Sequence, residues 1–466
     1  MSDNVWLSVD GDRLRDGAGR DVVLAGVGLG GWMNMENFIT GYPATESQQR
    51  QALRRALGDE GYERFFTRFL HDFFDEADAR HLAALGVNCV RVPFNYRHFE
   101  DDALPFVLKP EGFALLDRVV GLCSDQGIYT ILDLHAVPGS QNQNWHSDNP
   151  THRALFWEHP HFQDRVVHLW EVLADHYRDN PWVAGYNPVN EPADPSGEVI
   201  GPFYKRLESA IRAIDARHVL FLDGNRYSTD FSMFDVVFPN SVFAAHDYAL
   251  PGIAPEGVYP GETRGEHFDR DVLEQTFLRR TEFMRRTGTP IWIGEFGPIY
   301  TGEADRDSQR YQMLRDQLDI YRSHGASWSL WTYKDIGLQG LVHVRPDSSY
   351  LKILDPVLEK KTRLGVDAWG SSDRHVRQVL DPIDALFEVE FPDFQPYPWG
   401  RRAWVNLLVR HILFAEPMVD NFERCFDGLS PEEAEAMAGS FAFDQCVSRQ
   451  QLADLLRGHL APERSG

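Results

Sequence analysis

One helix-and-strand unit near the middle of the chain decides the fold: His161-Phe-Gln-Asp-Arg-Val-Val-His-Leu-Trp-Glu-Val-Leu-Ala-Asp-His-Tyr177, followed by Val183-Ala-Gly-Tyr186. Apolar residues return at intervals of three and four in the first segment, which predicts an amphipathic helix. The second segment is short and apolar, which is typical of a strand buried on both faces. Alternation of such elements predicts parallel strands covered by helices.

The same alternation extends through most of the chain. Helical periodicity recurs at residues 203–214 and 311–321. Eight short apolar runs, rich in Val, Ile and aromatic residues, occupy residues 22–27, 87–92, 129–134, 183–186, 219–222, 242–245, 291–293 and 328–330. Eight strand-and-helix units predict an α/β fold of the (β/α)8 TIM barrel type. An open doubly wound sheet is the competing fold, and we disfavour it because the context of a dinucleotide-binding G-x-G-x-x-G turn is missing.

Both ends of the chain add to the predicted barrel. Residues 6–26 contain two short strand patterns joined by Gly and Asp turns, which predicts an N-terminal β-hairpin. We place the barrel domain at residues 1–350 and a mostly helical C-terminal extension at residues 351–466. In the extension, residues 399–414 have a helical pattern, and Ser430-Pro-Glu-Glu433 and Ser448-Arg-Gln-Gln451 each fit a capping box at the start of a helix.

Composition and charge exclude several classes of protein. The 466 residues include 46 Lys and Arg against 70 Asp and Glu, a net charge of −24, which disfavours nucleic-acid binding because that binding depends on neutralising phosphates. The four cysteines are too scattered for a disulfide framework or a zinc site. No apolar run is long enough to span a membrane, and the first residues do not resemble a secretory signal. We therefore expect a cytoplasmic protein without nucleic-acid or membrane partners, of open oligomeric state.

Two carboxylates follow predicted strands that lie across the barrel mouth from each other. Glu191, in Val189-Asn-Glu-Pro192, follows the fourth strand, and Glu295, in Gly294-Glu-Phe-Gly297, follows the seventh. The working groups of barrel enzymes lie at the carboxyl ends of the strands, so these two side chains can converge. Two carboxylates that face each other across a cleft are the machinery of glycoside hydrolysis.

With these motifs in order, the sequence resembles glycoside hydrolase family 5, the cellulase-like family of retaining barrel enzymes, over about residues 5–340. The residues that carry the resemblance are Arg91 in Asn88-Cys-Val-Arg-Val-Pro93, His135 in Asp133-Leu-His135, Asn190, Glu191, His246 and Tyr248 in His246-Asp-Tyr248, Glu295 and Trp331. The resemblance implies that Glu191 is the acid/base and Glu295 the nucleophile. It implies no cofactor and no metal ligand.

The two carboxylates need different environments for these roles. Arg91 and a hydrogen bond from Tyr248 would lower the pKa of Glu295 and keep it ionised. Glu191 must be protonated when the leaving group departs, so we expect it in a less cationic, partly desolvated place. Retention predicts carboxylates roughly 5–5.5 Å apart.

Other residues of the motifs are implied to bind the sugar. Asn190 would donate to the sugar 2-hydroxyl, a contact that strengthens in the transition state. His135 and His246 would hold hydroxyls and orient Glu191. Trp331 would offer a flat apolar face on which a sugar ring stacks.

Two segments look most like the exo-β-1,3-glucanase branch of the family: Gly26-Val-Gly-Leu-Gly-Gly-Trp-Met-Asn-Met-Glu36 and Asp133-Leu-His-Ala-Val-Pro-Gly-Ser-Gln-Asn142. In that branch the acidic residue that matches Glu36 binds hydroxyls of the terminal sugar, and the loop that ends at Asn142 walls the pocket. The chain departs from the branch at Ala136-Val137, after Asn142, and in its helical extension. These departures leave the sugar and the linkage open.

The predicted activity is that of a retaining exo-acting β-glycosidase, of β-glucosidase or exo-β-glucanase type, that hydrolyses small β-glycosides or oligosaccharides by double displacement. A cytoplasmic enzyme meets imported oligosaccharides and not polymers, so we expect a pocket that removes single sugars, mainly glucose. Residues 37–66, interpreted as a loop, and the helical extension would close off the leaving-group side. The alternatives within the family are a β-mannosidase, a disaccharide-releasing β-glycosidase and a transglycosidase.

Two alternatives come from other classes of protein. A metal-dependent barrel hydrolase could use His159 and His161, with His146 and His152 nearby, but this pair precedes a helix and does not end a strand. A non-catalytic carbohydrate-binding protein would not need both Glu191 and Glu295, so we disfavour that role too.

Overall fold

The computed structural model describes residues 5–367 and 369–461. Its strands are short. In chain order they are β1 (Ser8–Asp10), β2 (Arg13–Arg15), β3 (Asp21–Val22), β4 (Ala25–Gly28), β5 (Cys89–Asn95), β6 (Glu100–Asp101), β7 (Leu104–Leu108), β8 (Tyr129–Ala136), β9 (Val183–Asn187), β10 (Val219–Asp223), β11 (Ser241–His246), β12 (Gly261–Thr263), β13 (Glu266–Phe268), β14 (Ile291–Phe296), β15 (Ser327–Leu330), β16 (Lys334–Asp335), β17 (Val342–Val344) and β18 (Cys446–Ser448).

Eight of these strands close into a parallel barrel, in the order β4, β5, β8, β9, β10, β11, β14, β15 and back to β4. Each strand is hydrogen-bonded to parallel neighbours on both sides. Each predicted apolar run overlaps one barrel strand, so the predicted (β/α)8 barrel is confirmed. Nearly every residue of these strands is buried, because side chains fill the barrel interior while helices cover its outside.

The first predicted run, residues 22–27, is two strands and not one. β3 ends at Val22 and pairs antiparallel with β2, whereas the barrel strand β4 begins only at Ala25. The predicted N-terminal hairpin is therefore a three-stranded sheet, β1-β2-β3. Its buried side chains join a small apolar cluster with barrel residues, which includes Leu7, Leu14, Val219 and Phe221.

The barrel strands alternate with α-helices, and further helices follow the barrel. They are α1 (Asn37–Thr40), α2 (Glu46–Asp72), α3 (Glu76–Ala84), α4 (Pro110–Ser124), α5 (Pro160–Tyr177), α6 (Ile200–Arg212), α7 (Asn225–Ser228), α8 (Leu250–Ile253), α9 (Arg270–Arg280), α10 (Glu282–Thr287), α11 (Ala304–Ser323), α12 (Ser349–Leu364), α13 (Arg377–Glu390), α14 (Gly400–Leu407), α15 (Ala415–Arg424), α16 (Pro431–Ala438) and α17 (Gln450–Leu460). A π-helical segment, Leu408–Phe414, joins α14 to α15. Within the described residues, no helix is both long enough and apolar enough to cross a bilayer.

The segment of residues 37–66, interpreted as a loop from its sequence, is mostly helical. It contains α1 and most of α2, which starts with a capping box at Thr45: the side chain of Thr45 accepts from the backbone N–H of Gln48, and the Gln48 side chain bonds back. The interpretation as a loop was wrong: α2 consists of two helical stretches that meet at a kink at Gly58, where φ is +66° and the backbone is not helical.

Helices α15 and α16 of the C-terminal extension pack against α2. Aromatic rings join the two regions: ring centroids are 4.9 Å apart for Phe69 of α2 and Phe441, and 4.7 Å apart for Tyr42, which precedes α2, and Phe422 of α15. Strand β18 of the extension also pairs antiparallel with β17, which follows the barrel directly. The extension and the barrel therefore share one apolar core.

One of the two predicted helix starts in the extension is confirmed. The Ser430 side chain accepts from the N–H of Glu433, and the Glu433 side chain accepts from the N–H of Ser430, which is a complete capping box at the start of α16. The second prediction is wrong. Ser448 is the last residue of β18, and α17 begins after Arg449 without a side-chain cap, because pairing with β17 holds Ser448 in extended structure.

Candidate active site

A cavity of about 370 Å³ opens at the carboxyl ends of the barrel strands. In a closed parallel barrel all these ends meet at one rim, so residues distant in sequence come together there. The predicted site residues that line the cavity are Glu36, His135, Glu191, His246, Tyr248, Glu295 and Trp331. The other three, Arg91, Asn142 and Asn190, are fully buried beside it.

The two carboxylates of the sequence prediction face each other across this cavity. One oxygen of Glu191, one oxygen of Glu295 and a ring nitrogen of His246 all lie within 4.8 Å of one another. Retaining glycosidases hold their carboxyl groups about 5–5.5 Å apart, whereas inverting enzymes need about 6.5–9.5 Å to admit a water. The nearest oxygens are thus too close to admit the water of an inverting mechanism, which favours a double-displacement site.

Glu295 is held by two donors, as the sequence predicted. Arg91 Nη1 lies 2.6 Å from Glu295 Oε1, and the Tyr248 hydroxyl donates to Glu295 Oε2 at 2.9 Å. Burial would lower the pKa of Arg91, but the charges of Asp133 and Glu295 outweigh it and raise that pKa. Burial, followed by the charge of Glu295, raises the pKa of Tyr248 well above its usual value. Both groups therefore stay donors to the Glu295 carboxylate.

Glu191 lies in a more cationic place than the sequence predicted. His246 Nδ1 is 2.6 Å from its Oε1, and His146 Nε2 is 3.2 Å from its Oε2. Burial acts to raise the pKa of Glu191, but the hydrogen bonds with His146 and His246 outweigh it and hold that pKa well below its usual value. The expectation of a less cationic surrounding is wrong, because two histidines from different loops and strands converge on this carboxylate.

The backbone at Glu191 is strained. Its φ is +45°, in the left-handed region that a residue with a Cβ rarely adopts. Its N–H donates to Asp223 Oδ2 at 2.9 Å, which holds the turn after β9 in place. Strain of this kind persists where the surrounding structure over-determines it, and it clusters at functional sites.

His135 does not contact Glu191, contrary to the prediction that it orients that residue. Its Nδ1 bonds to Asp133 Oδ2 at 2.7 Å, and its Nε2 lies 3.4 Å from Glu36 Oε1. Burial acts to lower the pKa of His135, but the charge of Asp133 outweighs it, and the pKa rises to about 10. His135 is therefore a cation next to Glu36. Glu36 Oε1 is buried and accepts no hydrogen bond within the described part of the chain, so His135 at 3.4 Å is its nearest charged neighbour.

Trp331 forms the floor of the cavity. Its ring stacks on His135, with centroids 5.4 Å apart and an angle of 2° between the planes. A Cβ atom at Gly28 or at Gly30 would lie 2.5 Å from the Trp331 ring. The glycine-rich run after the first barrel strand thus lets the backbone approach the indole, which is a packing reason for those glycines.

Asn190 and Asn142 do not line the cavity. Asn190 Oδ1 accepts from Arg91 Nη2 at 2.6 Å, so this side chain holds the arginine beside Glu295. Asn142, implied to wall the pocket, donates instead to the Glu191 carbonyl oxygen at 3.0 Å and lies 2.8 Å from His146 Nε2. Asn142 therefore supports the Glu191 turn and is not itself part of the pocket wall.

Comparisons with known proteins agree with this geometry. The profile of the family described as cellulase (glycosyl hydrolase family 5) matches residues 59–337. The chain belongs to glycoside hydrolase family 5. It is a retaining β-glycosidase whose substrate is a β-linked carbohydrate.

Relatives of this family 5 enzyme include glycosidases of different names. A β-xylosidase of Phanerodontia chrysosporium is 48% identical, over 97% of both chains. A glucan 1,3-beta-glucosidase of Yarrowia lipolytica is 28% identical, over 66% of this chain and 83% of that one. The solved structure of an endogalactoceramidase matches with a TM-score of 0.52 at 22% identity, over 71% of this chain and 75% of that one. That last likeness supports the fold alone.

Sequence reasoning missed several residues that line the site of this family 5 enzyme. They are Trp145, His146 and Tyr227 from barrel loops, and Asp367, Trp369, Trp399 and His411 from the C-terminal extension. Only His146 was noticed, as a metal-ligand candidate. His146 could have been recognised as a site residue from its position four residues after Asn142, in the loop that follows β8, the strand that carries His135.

Of the metal-ligand candidates of the sequence, His146 lines the site of the family 5 enzyme, whereas the pair His159 and His161 does not. His159 precedes α5 and His161 lies in its first turn, both exposed, and neither lines the cavity. Within the described residues, the group whose donor atoms lie close enough to hold an ion is Glu191, His246 and Glu295. These donors fit a metal poorly, because Glu295 is already bonded to the cationic Arg91 and Glu191 to His246.

Proposed function

We propose that this family 5 glycosidase is exo-acting: it removes one sugar at a time from the end of small β-glycosides, with Glu295 as nucleophile and Glu191 as acid/base. The observation that carries the proposal is a pair of stacked aromatic rings in the cavity lining. Phe38 and Trp369 both line the cavity, and their ring centroids lie 6.1 Å apart. We infer that this pair closes the end of the cavity that holds the cleaved sugar, an end that a long polymer would need open.

The cavity has two sides, which the carboxylates define. An acid must reach the oxygen of the leaving group, so the leaving group lies on the side of Glu191. The sugar that is cleaved off lies between Glu295, Glu36 and the face of Trp331. Trp369 closes this side: its Nε1 donates to Gln339 Oε1 at 3.1 Å, and its ring lies edge-on to Tyr248 with centroids 4.8 Å apart.

The chemistry then takes two displacement steps. A carboxylate oxygen of Glu295 attacks the anomeric carbon, the bond from that carbon to the leaving oxygen breaks, and Glu191 gives its proton to that oxygen. In the second step Glu191 takes a proton from water, the water oxygen bonds to the anomeric carbon, and the Glu295 carboxylate leaves. Arg91 and Tyr248 stabilise Glu295 as a leaving carboxylate in this second step.

The acid proton is shared between Glu191 and a histidine. Because the pKa of Glu191 is low, its proton lies mainly on His246 in the resting enzyme. Burial lowers the pKa of His246, but the charges of Glu295 and Glu191 outweigh it and raise that pKa. The 2.6 Å contact from His246 Nδ1 to Glu191 Oε1 lets the proton pass to Glu191 as the leaving oxygen arrives. The pair titrates as a unit.

Two observations point to different sugars as the one that this enzyme cleaves off. The β-xylosidase relative, 48% identical over nearly the whole chain, favours a β-xyloside. The motifs of the exo-β-1,3-glucanase branch, and the 28% identical glucan 1,3-beta-glucosidase, favour a β-glucoside. We take the β-xyloside as the first substrate class to test, because the identity is higher and covers the C-terminal extension.

A screen of aryl β-xyloside, β-glucoside, β-mannoside and β-galactoside, with the corresponding disaccharides, tests the proposal. We expect hydrolysis of the xyloside or the glucoside, with the β-anomer of the sugar as first product by NMR. On an oligosaccharide we expect single sugars from the first minutes. Internal fragments would disprove exo action, and transfer products in place of free sugar would favour the transglycosidase alternative. The cytoplasmic location stays a prediction, which fractionation of the producing cells would test.

A further inference from the structure

The C-terminal extension supplies part of the cavity. Asp367, Trp369, Trp399 and His411 lie outside the barrel in sequence and line the same cavity as Glu191 and Glu295. Trp369 lies on the closed side, against Tyr248. Trp399 lies elsewhere, at the rim, where its side chain is 46% exposed.

A path of contacts places Trp399 on the side of Glu191. His146 Nε2 is 3.2 Å from Glu191 Oε2, the rings of His146 and Tyr227 have centroids 6.2 Å apart, and those of Tyr227 and Trp399 are 5.6 Å apart. The ring of Trp145, beside them, stacks on His411 with centroids 3.9 Å apart. The cavity is therefore lined by aromatic rings from Glu191 out to the rim.

Tyr227 lies in α7, which is an unusual left-handed turn and not a regular α-helix. Three successive residues with a Cβ, Arg226, Tyr227 and Ser228, have φ of +54°, +57° and +59°. Such a left-handed turn is energetically costly without glycine, so the surrounding structure must hold it. The Tyr227 hydroxyl donates to Gln143 Oε1 at 3.1 Å.

The polar end of Tyr227 is thus engaged away from the sugar. Asn144 Nδ2 also donates to the Tyr227 hydroxyl, at 3.1 Å. The tyrosine therefore presents its ring, and not its hydroxyl, to the cavity. On the outer side, the Arg226 guanidinium lies 5.1 Å from the centre of the Trp399 ring, which orders the indole at the rim.

We propose that Trp399 and Tyr227 form a binding subsite for the leaving group of the glycoside. Its ligand is a ring with a flat apolar face, either a second pyranose or an aryl group, because aromatic side chains bind such faces. The proposal rests on the proposed function, since it takes the side of Glu191 as the leaving-group side. The half-exposed Trp399 allows a longer leaving group to continue into solvent, so the subsite selects the ring and not the length.

The test compares leaving groups on one sugar. The probes are methyl, phenyl and disaccharide β-xylosides, or the β-glucosides if those are the substrates. We expect Trp399→Ala to lower kcat/KM roughly tenfold for the phenyl glycoside and the disaccharide, mainly through KM. The methyl glycoside, which has no ring, should change less than about twofold. Trp399→Phe should recover most of the loss.

Phe391→Ala is the matched control, because Phe391 is an exposed aromatic residue of the same extension, 54% exposed, that does not line the cavity. It should leave all three rates unchanged. Equal losses on all three probes in Trp399→Ala, or no loss on any, would overturn the subsite. Thermal melting of both variants shows whether a general loss comes from unfolding.

Failure of the proposed function would give a different experimental result from failure of the subsite. If the wild-type protein cleaves none of the probes, the proposed activity fails. Binding of phenyl and methyl β-xylosides is then measured by calorimetry with the wild type and Trp399→Ala. Weaker binding of the phenyl glycoside alone in the variant supports the subsite, and identical binding by both proteins rejects it.

Discussion

The cavity has two halves of different origin. The half formed by the barrel is charged and buried: Arg91, His135 and Glu295 are each paired with another polar group at 2.7 Å or less. The half formed by the C-terminal extension is mainly aromatic, with Trp369, Trp399 and His411 beside the buried Asp367, and Trp399 is its most exposed member. Buried charged groups must be paired with other polar groups. An aromatic wall needs no such partner, because it binds a ligand through apolar contact area.

This difference suggests a division of labour. Changes in the barrel half should slow the chemical steps for every substrate, because those groups act on the reacting atoms. Changes in the extension should alter which substrates are preferred, or only the stability. The following predictions test this division.

The largest expected effect is the loss of the proposed nucleophile. Glu295→Ala should lower kcat by a factor on the order of 10⁴ or more, because no covalent intermediate can form. Initial rates on an aryl β-glycoside measure this loss, and added azide should yield the glycosyl azide of inverted configuration. Glu282→Ala, an exposed carboxylate on α10, is the control. Near-normal activity of Glu295→Ala would falsify the assignment.

The next effect depends on the leaving group. Glu191→Ala should lower kcat/KM by roughly 10²–10⁴ for methyl glycosides and disaccharides, whose leaving oxygens need a proton. Formation of the glycosyl-enzyme from a dinitrophenyl glycoside, whose leaving group needs no proton, should change much less, and a pre-steady-state burst measures this step. If both substrates lose the same factor, Glu191 is not the acid.

A smaller effect concerns pH. The pKa of His246 is raised by the charges of Glu295 and Glu191 against the opposing effect of burial. As the pH rises through that raised pKa, the Glu191–His246 pair loses its last proton and the first step loses its acid. kcat/KM should therefore fall on the alkaline side, and in His246→Asn the fall should move toward acid.

The pH profile of kcat/KM for the wild type and His246→Asn measures this shift. His81→Asn is the control, since His81 packs against Phe443 outside the cavity. An alkaline limb that does not move in His246→Asn would show that the proton is not shared.

The smallest effect lies in the extension. Ser430→Ala removes the capping box of α16 and should lower the free energy of unfolding by about 1 kcal/mol, with kcat unchanged. Ser448→Ala, which removes no cap, should change it by less than about 0.5 kcal/mol. Denaturant unfolding measures both. A fall in kcat for Ser430→Ala at temperatures where it is folded would contradict the division between the two halves.

Much of the barrel half could be predicted from the sequence. Strand runs and helical periods are local, and each strand end carries its working residue a few positions after the run, as Glu295 does. The prediction failed where a contact across the chain decides the role. His135 was expected beside Glu191, but Asp133 and Glu36 hold it. Ser448 fits the sequence pattern of a helix cap, but it pairs with β17 in a strand.

The sequence by itself determined the barrel, the carboxylate pair and the family, because these depend on periodicity and on short motifs whose place in the barrel follows from strand order. Only the tertiary structure decided the surroundings of Glu191 and the aromatic half of the cavity. His146, Tyr227 and Trp399 come from three separate segments, and no local pattern states that they meet. Their meeting depends on how the extension packs against two barrel loops, which contacts between residues distant in sequence decide.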